Sequence, residues 1–391
     1  MNNKTNISIK ATVAVFMVFA MSMTLGSITP IMAQLFAAFS DVPTATVTYI
    51  STIASLVSIP GSLLTGVIAG KKLGMKKTIT LLVVIFVIAG CFPALVPSFT
   101  ATLISRGVFG FAMGGLSVLG NPIVTALYSA EKRARILGVA NFVSFGGAMV
   151  LQFFASFLST FHWKFAFFTH ALAIIPLIII LICLPEVKIE AENPKEKTSG
   201  YKVPVRAWYI IIAFSFAAML MTPLFMTCSV FAANISDNVM WAATASMVYS
   251  VGTLLGGLIF GTWYRIFKKY SMPASCLCAA VGLFIVVNAG VIPVLLIGMI
   301  VAGIGYCSMM SFAMMAVGMI TPVDSVPFAT SILMALMNVF TFLASPLIGV
   351  ISNMTGDAFY APVYAAVIGY VAVAVVTAIA KPLPATKKSE A

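Results

Sequence analysis

The chain has 391 residues, of which 61% are hydrophobic and only 8% are charged, and its mean hydropathy is +1.10. A soluble domain is typically about 25% charged and about half apolar, so this composition excludes a soluble protein and indicates a polytopic membrane protein. The net charge of +12 would suit nucleic-acid binding. However, the basic residues lie in loops and tails between apolar segments, and we expect no nucleic-acid partner.

Twelve apolar stretches are long enough to cross a bilayer, which takes about 20 helical residues. Span 1 follows Lys4 and Lys10 and lacks a small-residue cleavage site, so we interpret it as a retained span rather than a signal peptide. The predicted fold class is therefore an all-α membrane protein with twelve transmembrane helices. Spans 1 to 12 are predicted near residues 11–37, 43–70, 78–98, 101–128, 135–158, 163–185, 207–233, 239–264, 272–292, 294–320, 327–353 and 361–380.

The basic residues follow the positive-inside rule. If the amino terminus is cytoplasmic, all but two of the 22 lysines and arginines fall in cytoplasmic tails and loops. The exceptions are Lys164, at an outer boundary, and Arg106, inside span 4. We therefore predict an inner- or plasma-membrane protein with both termini in the cytoplasm.

A hydrophilic segment between spans 6 and 7 divides the chain into two sets of six spans. It covers residues 185–206 and is rich in glutamate, lysine and proline, a composition typical of a solvated linker. The predicted domains are an N-terminal half at 1–187, a cytoplasmic linker at 188–205 and a C-terminal half at 206–391.

The two halves repeat each other in sequence. Residues 62–70 of span 2 match residues 253–261 of span 8, and a Lys-Lys pair follows each copy. Two six-span halves in parallel repeat are an architecture of secondary transporters, in which the substrate site lies between the halves near the midplane. The repeat therefore predicts a transporter of this kind.

Four motifs follow one another in the first half: residues 66–77 between spans 2 and 3, 103–110 in span 4, 128–135 before span 5 and 163–167 at the start of span 6. Each motif is degenerate, but together on a twelve-span plan they resemble the major facilitator superfamily. The resemblance implies alternating access by rocking of one six-helix half against the other. By the same resemblance, we assign a gating or conformational role to Gly66, Gly70, Gly74, Lys76, Lys77, Gly257 and Gly261.

The chain departs from the family pattern at two places. The family's turn between spans 2 and 3 carries an aspartate that forms part of a cytoplasmic gate, and here Gly70 or Lys71 stands in its place. Proton antiporters of the family carry Gly-Pro in span 5, where this chain has Leu151-Gln152. Both differences argue against simple transfer of the family's gating and proton-antiport chemistry.

Arg106 is the only charged residue well inside a predicted span, and all ten acidic residues fall outside the spans. A charge within the membrane is costly and marks a functional site by default, and the guanidinium fork suits a carboxylate or phosphate. The alternative is that Arg106 bonds to backbone carbonyls or snorkels outward and steadies the bundle. His170 in span 6 titrates in a useful range, but we interpret it as a hydrogen-bonded structural histidine.

Other polar or flexible side chains complete the predicted substrate site. An amide in hydrocarbon must find a partner, so it faces the protein interior or a cavity, although helix–helix contact explains any single amide equally well. Methionine thioethers suit a soft cavity wall, with ordinary packing as the alternative. The predicted substrate-binding residues are Arg106, Asn141, Tyr249, Met314 and Asn338.

The predicted function is secondary active transport of a small amphipathic or organic-anionic compound, with efflux by antiport as the first choice. One alternative is uptake or exchange of a small organic anion without proton coupling, and another is a membrane sensor of the same fold that transports nothing. The sequence contains no Walker-type loop, Ser-His-Asp set or zinc spacing, so we expect no enzyme, cofactor or metal. We expect a monomer that acts on a small molecule within the lipid bilayer.

Overall fold

A computed structural model describes residues 8–22, 24–70, 73–187, 203–322 and 325–380. These residues are almost entirely helical, and an isolated bridge between Ala69 and Leu73 closes the turn between spans 2 and 3. The predicted linker at 188–205 lies outside the described residues as far as residue 202.

Every predicted span corresponds to helix in the described residues. Spans 1 to 6 comprise Ile9–Ala20 with Leu25–Ile31 and Met32–Ala38, Thr44–Val47 with Tyr49–Ile68, Met75–Leu95, Phe99–Ser117 with Gly120–Leu127, Ala130–Ser159, and Trp163–Ala173 with Ile174–Cys183. Spans 7 to 12 comprise Val205–Ile235, Met240–Phe267, Ser271–Val287, Ile292–Ile320, Val326–Thr355 and Tyr360–Ala380.

Ten helical stretches in the described part of the chain are long and apolar enough to cross a membrane, judged by length and composition. The longest, Met240–Val287, contains both span 8 and span 9, and the bent pair Ile9–Ala20 with Leu25–Ala38 supplies span 1. The prediction of an all-α membrane protein is therefore confirmed.

The chain divides into two compact units. The first unit comprises Met1–Lys197 with Asn238–Ala243, and the second comprises Thr198–Asp237 with Thr244–Ala391. The division of the chain into halves at the linker stays a prediction.

Span 1 is broken near its middle. Its α-helix ends at Ala20, a 3-10 helix begins at Leu25, and the two parts meet at 55°. The Ser22 hydroxyl donates to the Phe19 carbonyl at 2.7 Å, so a side chain satisfies part of the backbone at the break. Pro30 within the 3-10 segment has no N–H and cannot supply the α-helical bond to the carbonyl of Gly26, four residues earlier.

Spans 2 and 4 pack backbone to backbone in the first unit. A Cβ atom placed on Gly61 would collide with the backbone of Phe111, and one on Gly114 would collide with the backbone of Ser58. Close approach of this kind needs small residues at the contact, as in other membrane helix pairs.

Spans 8 and 10 repeat this packing in the second unit. A Cβ on Gly252 would collide with the backbone of Ile300, and one on Gly303 would collide with the backbone of Tyr249. Gly252 immediately precedes the repeat copy at 253–261, as Gly61 precedes the copy at 62–70. The same register makes Tyr249 the counterpart of Ser58 in the first unit, so the sequence repeat is also a packing repeat.

We predict that Gly114→Ala lowers the thermal stability of the purified protein, because the added methyl group meets the backbone of span 2. Overpacking of this kind typically costs about 1–3 kcal/mol. Gly138→Ala in span 5 is the matched control, since beyond the local backbone of its own helix no described atom lies within 4 Å of the added Cβ. Removal of a helical glycine should then leave stability unchanged or raise it by up to about 1 kcal/mol. Thermal unfolding in detergent measures both variants, and equal melting temperatures would contradict the packing argument.

Candidate functional site

Arg106 lies on span 4, and its side chain is fully buried, with 0% of its surface exposed. Its Nε donates to the carbonyl of Ile50 in span 2 at 3.3 Å, and its Nη2 donates to the carbonyl of Leu25 in span 1 at 3.4 Å. The guanidinium carbon stands 4.0 Å from the centre of the Phe109 ring, a cation–π distance. The side chain therefore ties spans 1, 2 and 4 together.

The third nitrogen of this guanidinium is unsatisfied. Arg106 Nη1 is buried and has no hydrogen-bond acceptor among the described residues. The acidic side chains that the structure describes, those of Asp41, Glu186, Asp237 and Asp357, all lie in turns between or after helices. Carbonyl dipoles and an aromatic face thus surround the cation, and both N–H groups of Nη1 lack an acceptor among the described residues.

An aromatic cluster separates Arg106 from His170. The Phe109 ring lies 4.7 Å from Phe86 and 4.9 Å from the imidazole of His170, measured between ring centres. His170 is fully buried, with Nδ1 at 2.8 Å from the carbonyl of Phe167 and Nε2 at 3.0 Å from the hydroxyl of Ser27. A carbonyl only accepts, so Nδ1–H donates and Nε2 accepts from Ser27. His170 is hydrogen-bonded on both nitrogens, as expected for a structural histidine.

Gln152 of span 5 contacts the broken segment of span 1 and was not among the predicted site residues. Its Nε2 donates to the carbonyl of Gly26 at 3.5 Å, while its Oε1 is buried with no donor in the described part of the chain. A second polar contact, 3.2 Å between the hydroxyls of Ser22 and Ser144, joins the same two spans. The available sequence signal was the substitution of Gln152 where related proton antiporters carry Gly-Pro.

The remaining predicted substrate residues occupy different environments. Asn141 lies in span 5 of the first unit, and its side chain is outside the described part of the structure. In the second unit, Tyr249 is 5% exposed, its ring centre is 4.7 Å from that of Phe225, and its buried hydroxyl has no partner among the described residues. Met314 is partly exposed and Asn338 is half-buried. Their roles in substrate binding stay predictions.

The turn between spans 2 and 3 has the backbone that its glycines predict. Gly70 has φ of +73°, a left-handed conformation that favours glycine. Gly74 caps span 3, and a Cβ there would collide with the carboxylate of Glu186, which follows span 6. This carboxylate lies at the positive end of a helix dipole, close to a turn that lacks the family's aspartate. Lys71 lies outside the described residues.

The other predicted gating residues are less constrained. Gly66 and Gly261 face open space, and a Cβ on Gly257 would make an ordinary contact of 3.6 Å with Cys307 Sγ. Lys76 and Lys77 occupy the first turn of span 3. Their gating roles stay predictions.

A pocket of about 370 Å³ lies in the first unit near the end of span 5. Gln34 Nε2 donates to the Ser159 hydroxyl there at 3.4 Å, and Gln34 Oε1 is buried without a donor among the described residues. None of the five predicted substrate residues lines it. The lining residues are Gln34, Ala37, Ala38, Ser159 and Trp163.

We predict that His170→Phe lowers stability and leaves transport per folded molecule unchanged. The phenyl ring preserves aromatic contacts but leaves the Phe167 carbonyl and the Ser27 hydroxyl without their partners, at about 1–3 kcal/mol for each buried group left unsatisfied. Thermal unfolding and substrate flux on the same reconstituted protein test this. Loss of flux with unchanged stability would show that the histidine serves transport directly.

The sequence model of the Major Facilitator Superfamily matches residues 11–243 and, in a second match, residues 229–391. No curated protein sequence matches the chain.

Several solved transporters share the fold. The nucleoside transporter NupG aligns with a TM-score of 0.74 at 16% identity, covering 97% of this chain and 98% of that one. The inward-open xylose transporter XylE from E. coli aligns at 0.73 and 17% identity, covering 96% of both chains. A bacterial homolog of the human lysosomal transporter Spinster aligns at 0.71 and 16% identity, covering 95% of both. At these identities the likeness establishes the fold, and because the family model matches almost the whole chain, this protein belongs to the Major Facilitator Superfamily, as a multi-pass membrane transporter with an all-helical, two-repeat fold.

Proposed function

We propose that this transporter exports a small amphipathic or organic-anionic compound by alternating access. The single observation that carries the proposal is the buried guanidinium of Arg106, whose Nη1 lacks an acceptor among the described residues. An anionic group on the substrate would supply that acceptor and neutralise the charge in an apolar setting, where such interactions are strong.

Direct contact between Arg106 and substrate requires access at span 1. Leu25 and Gly26 are half-buried, so the peptide at the break has some exposed surface while the guanidinium behind it has none. A substrate anion that approaches the broken segment would come close to the guanidinium, because the Leu25 carbonyl is bonded to Arg106 Nη2. Irregular backbone within transporter spans is tolerated where it lines a cavity. The broken segment of span 1 is therefore the surface from which we expect the substrate to approach Arg106.

The charge pattern also bears on coupling. The four acidic side chains that the structure describes lie in turns outside the helices, and Glu131 lies in the first turn of the helix Ala130–Ser159, at an end of span 5. A buried carboxylate proton site therefore has no candidate among them. This pattern favours the second candidate function, uptake or exchange of an organic anion that moves without protons. Efflux and exchange differ in whether flux responds to an imposed proton gradient.

The family and the sequence also support a proposal for the oligomeric state, the membrane and the orientation of the protein. We propose a monomer without catalytic, cofactor or metal chemistry, in the inner or plasma membrane with both termini in the cytoplasm. A sensor of the same fold remains the alternative from another class, and any substrate-dependent flux in proteoliposomes would eliminate it.

We predict that Arg106→Gln lowers anion flux in proteoliposomes by about 30-fold or more, the scale for removal of one partner from a buried charge pair. Arg133→Gln is the matched control, because Arg133 also donates to backbone carbonyls, those of Tyr128 at 3.0 Å and Thr125 at 2.8 Å. It lies at the start of span 5 and should leave flux unchanged. Wild-type flux from a folded Arg106→Gln variant would remove the basis of the proposal.

We predict that no single described carboxylate is required for coupling. The variants Asp41→Asn, Glu186→Gln, Asp237→Asn and Asp357→Asn should each keep the wild-type ratio of substrate flux to proton flux, because these groups lie outside the spans. Flux of substrate together with a pH-sensitive dye inside the proteoliposomes measures this ratio. A variant that transports substrate but no longer moves protons would contradict the prediction.

A further inference from the structure

Two buried polar atoms at the break in span 1 have no hydrogen-bond partner among the described residues. One is Arg106 Nη1, a donor, and the other is Gln152 Oε1, an acceptor. Arg106 is 0% exposed and Gln152 is 9% exposed. A buried polar group without a partner is uncommon and calls for an explanation, such as an unrecorded water or a ligand.

The two side chains bind consecutive carbonyls. Arg106 Nη2 donates to Leu25 O at 3.4 Å, and Gln152 Nε2 donates to Gly26 O at 3.5 Å. Neighbouring Cα atoms in a chain are about 3.8 Å apart, so the guanidinium and the amide are held at adjacent points of one short segment. Each side chain donates one nitrogen to this segment, and each has one further polar atom without a partner among the described residues.

The free atoms have opposite hydrogen-bonding character. A substrate anion satisfies Arg106 Nη1 but offers nothing to Gln152 Oε1, which needs an N–H or O–H donor. A simple cation would satisfy Gln152 Oε1, but the guanidinium bound to the adjacent carbonyl would repel it. A ligand that satisfies both atoms carries an anionic group and a hydrogen-bond donor, and the adjacent carbonyls that hold the two side chains favour a short distance between these two groups.

We propose that the substrate of this transporter is a small acid with a hydroxyl or amide N–H group beside its anionic group, such as a 2-hydroxy acid or an N-acyl amino acid. This inference rests on the proposed function, because Arg106 binds the anionic group. Gln152 Oε1 then accepts a hydrogen bond from the donor and selects against acids that lack it.

The amide is suited to discrimination because it is already desolvated. Its carbonyl oxygen makes no protein hydrogen bond in the described part of the chain, so a ligand that donates to it adds a bond and a ligand without a donor leaves it unpaired. A net hydrogen bond is worth about 0.5–1.5 kcal/mol, which corresponds to about a twofold to tenfold preference.

The test compares phenylacetate with mandelate, which differ by one hydroxyl group next to the carboxylate. We expect the purified full-length wild-type protein to bind mandelate about twofold to tenfold more tightly, measured by titration calorimetry in nanodiscs. In Gln152→Leu and Gln152→Met the two dissociation constants should become equal, with that of phenylacetate unchanged. Two apolar replacements of different shape guard against the failure of either one to fold.

Gln34→Leu is the matched control. Gln34 is also a glutamine of the first unit with a buried, unpartnered Oε1, but its Nε2 binds Ser159 rather than the broken segment. This variant should keep the wild-type preference for mandelate. Loss of the preference in Gln34→Leu would assign the discrimination to a general effect of glutamine removal and overturn the inference.

The other outcomes distinguish failure of the proposed anion transport from failure of the inference that the substrate carries a hydrogen-bond donor. If wild-type protein binds both acids equally and Arg106→Gln loses both, the proposed function stands and the inference about the donor is wrong. If the preference persists in Gln152→Leu, the amide holds a buried water only, and the inference is again wrong. If neither acid binds wild-type protein, the anion site itself is absent and both proposals fall.

Discussion

The helix bundle of the first unit depends on one constraint: a charged group deep in an apolar bundle must find its partners within the protein. Arg106 meets it without a carboxylate, through the carbonyls of Ile50 and Leu25 and the face of Phe109. The Leu25 carbonyl belongs to the first residue of the 3-10 segment, where span 1 is not a continuous α-helix. The break in span 1 and the arginine on span 4 are therefore in direct contact, and each supplies the other with a hydrogen-bond partner inside the bundle.

The glycine contacts provide the second organising feature. Spans 2 and 4 meet through Gly61 and Gly114, and spans 8 and 10 meet through Gly252 and Gly303 at the corresponding positions. The shared register shows where the halves differ in chemistry. At one equivalent position the first unit has a serine and the second has Tyr249, a large ring with a buried, unpartnered hydroxyl in the described structure. The glycines set the same backbone packing in both units, and the side chains at equivalent positions can therefore differ in chemistry.

Hydropathy predicted all the spans, because bilayer thickness imposes length and apolar character on any helix that crosses it. The same averaging conceals the break in span 1, since a window as long as a span averages the polar Ser22 and Thr24 with the apolar residues on either side. Arg106 could be singled out from sequence, because a lone charge in an apolar stretch is visible there. Its carbonyl partners and the contact of Gln152 with Gly26 could not, because both depend on a local backbone irregularity and on contacts between residues more than 50 positions apart.

The placement of Arg106 has an electrical consequence for a carrier that alternates access. A charge that moved across the full membrane field would contribute about 2.3 kcal/mol per 100 mV, and any partial movement of Arg106 contributes the corresponding fraction. If the substrate is the anion proposed above, the empty carrier has this positive charge uncompensated, whereas binding of a monovalent anion cancels it. The membrane potential would then act on the return of the empty carrier and leave the loaded step nearly unaffected.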